Sequence, residues 1–237
     1  MKKRIWELDV LRGIWILLMF AIHATYDLVV LYDAVDLKDP TLFNWSQDWG
    51  GTLFLFISGI CATLGSRPIR RGLQVIGCGM VVTAATVGMY LLNFADKGII
   101  IYFGVLHCLG CCMLLWPLFR KVAALPLAVL GLLMALLGLR LVETVRVDFP
   151  WLIPFGVMSR TFVSSDYFPL LPNFVYFLMG AAIGKTLYRN KTTLFPNVNT
   201  QNPIIRFFTF FGKNSLLIYM VHQPIIAGIL WLILLAI

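Results

Sequence analysis

The sequence contains few charged residues. Only 13% of its 237 residues are Asp, Glu, Lys or Arg, whereas 60% are hydrophobic. A soluble globular domain has about 25% charged and about 45–50% apolar residues. The chain therefore has too little charge to cover a soluble surface and too much apolar side chain for one core. This excludes a soluble domain, and the same composition excludes disordered, collagen-like and disulfide-scaffold chains.

The chain also lacks internal repeats, low-complexity tracts and any clear domain boundary, so we expect one domain over residues 1–237. Its five cysteines all lie within hydrophobic runs, where we expect them to act as small packing residues. The 19 Lys and Arg exceed the 11 Asp and Glu and give a net charge of +8. In a soluble protein this excess would indicate nucleic acid, but here loop topology explains it, and no nucleic-acid partner is expected.

Seven hydrophobic runs are long enough to cross a bilayer, which requires roughly 20 residues. The sequence therefore predicts an all-α integral membrane protein with about seven transmembrane helices. The runs are 10–32, 50–66, 72–93, 99–119, 122–141, 169–188 and 213–236.

The distribution of Lys and Arg predicts the orientation of these spans. Thirteen of the 19 lie on the side of the N-terminus, five lie on the other side, and Arg12 lies at the membrane edge. Because positive residues accumulate in cytoplasmic loops, we expect a cytoplasmic N-terminus. The aromatic stretch Pro203–Phe211 predicts a short interfacial helix. The apolar segment Phe149–Met158 is too short to span and predicts a re-entrant or interfacial lid.

All three histidines fall inside predicted spans, where an ionisable group is costly and indicates a functional site. They are His23 in the first span, His107 in the fourth and His222 in the seventh. With a rise of about 1.5 Å per residue, they lie about 14–20 Å from the cytoplasmic edge. This common depth favours one shared polar cavity. The alternative is three separate packing histidines, each bonded to a neighbouring helix.

His23 and Asp27 are four residues apart and share a helix face. A carboxylate beside an imidazole orients the ring and stabilises its protonated form, which a general base needs. The alternative is that Asp27 is solvated near the outer interface. Asp9 and Arg12, three residues apart, could pair with each other, or Arg12 could meet a phosphate or act as a topology anchor.

The last span carries His222 between Tyr219, Gln223 and Pro224. The proline removes a backbone donor and frees a carbonyl one turn earlier. A kink lined with polar side chains is typical of a cavity wall, although packing alone is an alternative. In the fourth span, the run His107–Cys112 invites a metal or haem interpretation. It lacks a second cysteine pair, and we expect no metal.

Arg67, Arg70 and Arg71 form a basic cluster before the third span. We interpret this cluster as a topology anchor, with attraction of an anionic cofactor such as a nucleotide-containing thioester as the alternative.

Five segments together resemble the bacterial DUF1624 family, which is related to the catalytic domain of heparan-α-glucosaminide N-acetyltransferase. The first span also resembles the acyltransferase-3 membrane enzymes, which place an Arg-Gly pair and then a histidine there. The five segments are Arg4–His23, Phe54–Gly59, Ile101–Gly110, Asp166–Pro172 and Gly212–Pro224.

This resemblance implies transfer of an acyl group, most simply acetyl, from cytoplasmic acyl-CoA to an amine or hydroxyl acceptor such as a sugar or glycan. The expected catalytic residues are His23, Asp27, His107 and His222, with His23 as general base and the other two histidines stabilising the oxyanion. The expected residues for the acetyl-CoA co-substrate are Arg12, Asp9, Arg70, Arg71 and Lys213. The expected residues for the acceptor are Asp166, Tyr219, Gln223 and Ser58.

The expected location is the bacterial cytoplasmic membrane, where the lipid bilayer is the main partner and dimerisation is a further expectation. A small transporter or flippase with a histidine-lined cavity is the alternative, because intramembrane His and Asp also serve proton relays. The missing internal repeat disfavours that alternative.

Overall fold

The structure is a computed structural model that describes residues 4–36, 39, 41–145, 147 and 150–235. Within these ranges the chain is helical and forms no β-strand, which confirms the all-α class. Each of the seven predicted hydrophobic runs overlaps a helix, and an eighth helix precedes the last one. The helices are α1 (Trp6–Tyr26), α2 (Thr41–Leu64), α3 (Pro68–Leu91), α4 (Val105–Phe119), α5 (Ala124–Thr144), α6 (Leu170–Leu187), α7 (Pro203–Lys213) and α8 (Ser215–Leu235).

Five helical segments in the described part of the chain are long and apolar enough to cross a membrane. The helix α4 is shorter, with 15 residues, and α2 is not among the five. The count of seven spans and the cytoplasmic N-terminus therefore stay predictions. The five segments are Trp6–Val29, Pro68–Leu91, Ala124–Leu141, Leu170–Leu187 and Ser215–Leu235.

The chain forms two compact units, and the first comprises Met1–Phe54 and Lys191–Ile237. Within this unit α1 packs against both α7 and α8. The contact with α7 is close because it is made at glycines. A Cβ on Gly13 would lie 1.9 Å from the Phe208 carbonyl oxygen, and a Cβ on Gly212 would lie 1.7 Å from the Asp9 carbonyl oxygen. Only glycine fits at these two positions.

The helix α7 lies where the interfacial helix is predicted. The Asn202 side chain caps it by accepting a hydrogen bond from the Ile204 amide at 2.9 Å. Ile204, Phe207 and Phe210 are all more than half exposed. An exposed apolar face of this kind is typical of a helix lying in the bilayer interface, which stays our prediction for α7.

The second unit comprises Leu55–Asn190. In it α3 packs against α4, and α5 packs against α6. Phe174 and Phe177 are fully buried on α6. A Cβ on Gly59 of α2 would lie 2.0 Å from the Phe177 carbonyl oxygen, so α2 and α6 also approach closely. Small residues at such crossings are typical of helix packing in membranes. The predicted lid forms a short 3₁₀ segment, Pro150–Phe155, and its first residue, Phe149, lies outside the described residues.

Candidate active site

The first unit contains a pair of histidines in direct contact. His23 is in α1 and His222 is in α8, and Nδ1 of His23 lies 2.7 Å from Nε2 of His222. The two rings are stacked with their centroids 4.7 Å apart. Phe20 also stacks on the ring of His222, with the two ring centroids 5.5 Å apart and an interplanar angle of 7°. His222 is only 5% exposed, so both its position and its orientation are held by packing.

The hydrogen bonds of this pair determine where its protons lie. Nδ1 of His222 lies 2.5 Å from the Tyr219 carbonyl oxygen, which can only accept, so Nδ1 carries the proton. In neutral His222 the Nε2 atom is therefore an acceptor, and Nδ1 of His23 must donate to it. The remaining nitrogen, Nε2 of His23, makes no hydrogen bond to any described residue and keeps its lone pair. The geometry thus prepares His23 to act as a base.

Asp27 lies beyond His23 in a π-helical turn, Asp27–Leu31, and is fully buried. The alternative that it is solvated is therefore wrong. Its Oδ1 accepts a hydrogen bond from Nε2 of Gln223 at 2.7 Å. The expected contact between Asp27 and His23 is replaced by the contact between the two histidines, because a residue from α8 occupies Nδ1 of His23. Thus His222, rather than Asp27, fixes the orientation of the His23 ring.

Two buried oxygens beside this pair lack a hydrogen-bond partner among the described residues. They are Oε1 of Gln223, which can only accept, and Oδ2 of Asp27, which accepts when the carboxyl group is ionised. A buried acceptor without a partner costs about 1–3 kcal/mol, so these atoms are suited to receive N–H or O–H groups of a ligand. Of the two residues only Gln223 is predicted to contact the acceptor, and that contact stays a prediction.

The N-terminal end of α1 contains a second polar cluster. Asp9 is buried and forms ion pairs with Arg12 and with Arg4. Of the three alternatives for Arg12, the structure therefore shows the pairing with Asp9. Sequence reasoning missed Glu7, which is buried and accepts hydrogen bonds from Oγ1 of Thr193 at 2.9 Å and from a neighbouring amide at 2.8 Å. Its partner loop is more than 180 residues away in the chain, so no local pattern indicates the contact.

His107 belongs to the second unit, and both of its nitrogens are engaged there. Nδ1 accepts a hydrogen bond from the Gly104 amide at 3.3 Å, so the proton lies on Nε2. That nitrogen lies 3.4 Å from Oγ1 of Thr83. His107 is 5% exposed and caps the first turn of α4. These contacts are those of a packing histidine, so the geometry does not favour the expected role in oxyanion stabilisation.

Asp166 also serves the first turn of α4. Its Oδ2 accepts a hydrogen bond from the Val105 amide at 3.0 Å. A Cβ on Gly104 would lie 2.2 Å from the same oxygen, so the carboxyl group reaches the helix end only because glycine stands there. Burial raises the pKa of Asp166 from 3.8 to about 6, although the Val105 amide opposes the shift. Its predicted contact with the acceptor stays a proposal.

This shift in pKa predicts a pH dependence of stability. Between pH about 4 and about 6 the folded state holds a proton that the unfolded state releases, so stability falls as pH rises through this window. The full effect is at most about 3 kcal/mol, at 1.36 kcal/mol per pKa unit. We expect Asp166→Asn, whose oxygen can still accept from Val105, to remove this component. Melting temperatures of the wild type and of Asp166→Asn, measured in detergent from pH 4 to 7, would show the lost pH dependence. Parallel curves for the two proteins would contradict the prediction.

The other predicted site residues are distributed over both units. In the first, Tyr219 is half-buried and its ring centroid lies 5.1 Å from that of His222, while Lys213 is exposed at the end of α7. In the second, Ser58 is buried in α2, and Arg70 and Arg71 are exposed at the start of α3. Among the described residues no group of three His, Cys, Asp or Glu side chains could hold a metal ion.

The fold and the histidine pair define an integral membrane protein in which a half-buried histidine keeps one ring nitrogen available to accept a proton. The family model of the heparan-alpha-glucosaminide N-acetyltransferase catalytic domain matches residues 4–224, and the chain belongs to this family. The match confirms the relation expected from the motifs and favours a membrane acetyltransferase over a transporter or flippase. The finer resemblance to the DUF1624 family and to acyltransferase-3 enzymes stays a prediction. Neither the curated proteins nor the solved structures give a match.

Proposed function

We propose that the protein is a multi-pass membrane acetyltransferase that moves an acetyl group from acetyl-CoA to an amine or hydroxyl group of a sugar or glycan. The observation that carries this proposal is the unoccupied basic nitrogen of His23, fixed by the hydrogen-bonded chain through His222 to the Tyr219 carbonyl. Membership of the acetyltransferase family supports the reaction class. The family match runs through both compact units, which supports one catalytic domain.

In the proposed reaction Nε2 of His23 removes a proton from the acceptor while the acceptor's nitrogen or oxygen attacks the thioester carbonyl carbon. The carbon–sulfur bond then breaks, and the proton passes from His23 to the sulfur of CoA. The products are the acetylated acceptor and free CoA. The positive charge on His23 is stabilised while it exists, because its Nδ1–H donates to His222. Asp27 and Gln223 would orient the acceptor through their two free oxygens.

The acetyl-CoA phosphates would lie toward the cytoplasmic end of α1. There Arg4 and Arg12 face the single carboxylate of Asp9, and Lys213 ends the helix that packs on Asp9. The positive charge exceeds the negative charge at this end, which favours an anion. Arg12 precedes His23 by 11 residues, about 17 Å along a helix. The long arm of CoA between its phosphates and its thioester would have to cover this separation.

The direct test is acetyl transfer by purified protein reconstituted in liposomes. The assay supplies acetyl-CoA carrying an isotope-labelled acetyl group and a panel of acceptors: glucosamine, N-acetylglucosamine, glucose and a glycan with free amines. We expect a labelled product with at least one acceptor and an equal release of free CoA. Hydrolysis of acetyl-CoA without a labelled product in any acceptor would contradict the proposal.

A further inference from the structure

A polar cavity lies at the start of α3, within the second unit. Its volume is about 340 Å³, at the lower end of the range of about 300–1,000 Å³ that small-molecule pockets occupy. The cavity is therefore large enough for a headgroup or part of a nucleotide. Its lining residues are Ser66, Arg67, Arg70, Arg71 and Gln74.

The spacing of the lining residues explains why they meet. Arg67, Arg70, Arg71 and Gln74 recur at intervals of three and four residues, which places them on one face of the helix. Ser66 lies in the turn that precedes the helix. The guanidinium group of Arg71 reaches back over this turn. Its Nη1 atom lies so close to Gly65 that a Cβ on Gly65 would be 3.3 Å from it. Three guanidinium groups thus surround one concave space.

The charge of this cavity is uncompensated. None of its lining residues is acidic, and the ion pairs found among the described residues, both at Asp9, involve none of its three arginines. The helix start adds to the positive potential, because the side chain of its N-cap residue, Arg67, makes no capping hydrogen bond. A topology anchor requires positive charge near the membrane but no cavity, so the anchor alone does not account for this arrangement.

We infer that this cavity is a binding site for a phosphate group. Arginine recognises phosphate through paired N–H donors, and three arginines with Ser66 and Gln74 supply donors on several sides. Two sources of this chemistry fit the position. One is the headgroup of an anionic phospholipid, because Ile69 and Leu73 on the same helix are more than half exposed and α3 is a candidate span. The other is a soluble nucleotide, because its phosphate offers the same acceptor oxygens.

The inference is independent of acyl transfer. Equilibrium binding without turnover therefore tests it, so its failure is separate from a failure of the proposed function. The probes are 3′-phosphoadenosine 5′-phosphate, by calorimetry, and phosphatidylglycerol, by native mass spectrometry against phosphatidylcholine. The protein is the purified full chain in detergent.

The decisive variant is Arg70→Gln/Arg71→Gln, which removes two exposed charges. The matched control is Arg189→Gln, which removes an exposed charge elsewhere in the same unit. For whichever probe the wild type binds, we expect affinity to fall about tenfold for each arginine removed and to be unchanged in the control. Loss of phosphatidylglycerol binding identifies a lipid site, and loss of nucleotide binding identifies a nucleotide site. If neither probe binds the wild type, or the double variant and the control behave alike, the inference is wrong. Matching melting temperatures would exclude misfolding as the cause.

Discussion

His23→Ala is expected to reduce acetyl transfer by about 10²–10⁴-fold while the protein still inserts and binds acetyl-CoA. The substitution removes the one nitrogen of the histidine pair that is free to accept a proton. The measurement is the initial rate of labelled product in liposomes that contain equal amounts of protein. The control is Thr25→Ala in the same helix, which loses only a hydrogen bond to its own backbone at Ala21 and should transfer at the wild-type rate.

His222 allows a finer test of the same pair. In His222→Phe the ring can still stack on Phe20, but the acceptor for Nδ1 of His23 is lost. A buried donor without a partner costs about 1–3 kcal/mol, so we expect about a 5- to 150-fold loss, smaller than that of His23→Ala. In His222→Gln the amide oxygen can accept the same hydrogen bond and should restore part of the rate. Equal rates in the phenylalanine variant and the wild type would show that His222 does not orient the base.

The second large effect is expected at the crossing of α1 and α7. Gly13→Ala places a methyl group 1.9 Å from the Phe208 carbonyl oxygen, and Gly212→Ala places one 1.7 Å from the Asp9 carbonyl oxygen. Because the opposing atoms are backbone, no side chain can move aside, and the helices must separate. We expect each substitution to destabilise the protein by about 3 kcal/mol or more. Thermal unfolding in detergent, followed by size-exclusion chromatography, would measure this.

The control for this pair is Gly228→Ala in α8, which belongs to the same unit. A Cβ at that position meets nothing within 4 Å. Alanine is a better helix former than glycine by about 1 kcal/mol, so this variant should unfold at or above the wild-type temperature. A Gly13→Ala protein as stable as Gly228→Ala would mean that α7 does not pack on α1 as described.

Hydropathy predicts the helices well but not where they begin. The first run begins at residue 10 by hydropathy, whereas α1 begins at Trp6 and includes Glu7 and Asp9. Both acids count as loop residues in a hydropathy profile. Here both acids are buried. Glu7 accepts hydrogen bonds from a loop that is distant in the chain, and Asp9 forms ion pairs with two arginines. These partners depend on the tertiary structure, and a hydropathy profile averages only over neighbouring residues in the sequence.

The candidate site could be predicted only in part for a related reason. Depth along a helix predicts one cavity for all three histidines, and two of them, His23 and His222, are in contact. Depth carries no information about the direction of a side chain, and His107 bonds instead to Gly104 and Thr83 within its own unit. Spacing of four residues likewise detects neighbours on one helix. It therefore pointed to Asp27 as the partner of His23 and could not reveal a histidine arriving from another helix.

The basic cluster before α3 is visible in the sequence as Arg67, Arg70 and Arg71. Gln74 continues the same helix face by the interval of three and four residues and completes the cavity wall. Ser66 lies before the helix, and its place in the cavity follows only from the turn between α2 and α3.

The central claim is that His23 has a free basic nitrogen, and the most direct measurement is the protonation of each histidine nitrogen. The chain contains only three histidines, so solid-state NMR of protein labelled with ¹⁵N-histidine in lipid can assign all six ring nitrogens with single-histidine variants. We predict a proton on Nδ1 and a bare Nε2 for His23, and a proton on Nδ1 for His222. A proton on Nε2 of His23 with a bare Nδ1 would contradict the hydrogen-bonded chain and the role of His23 as the base.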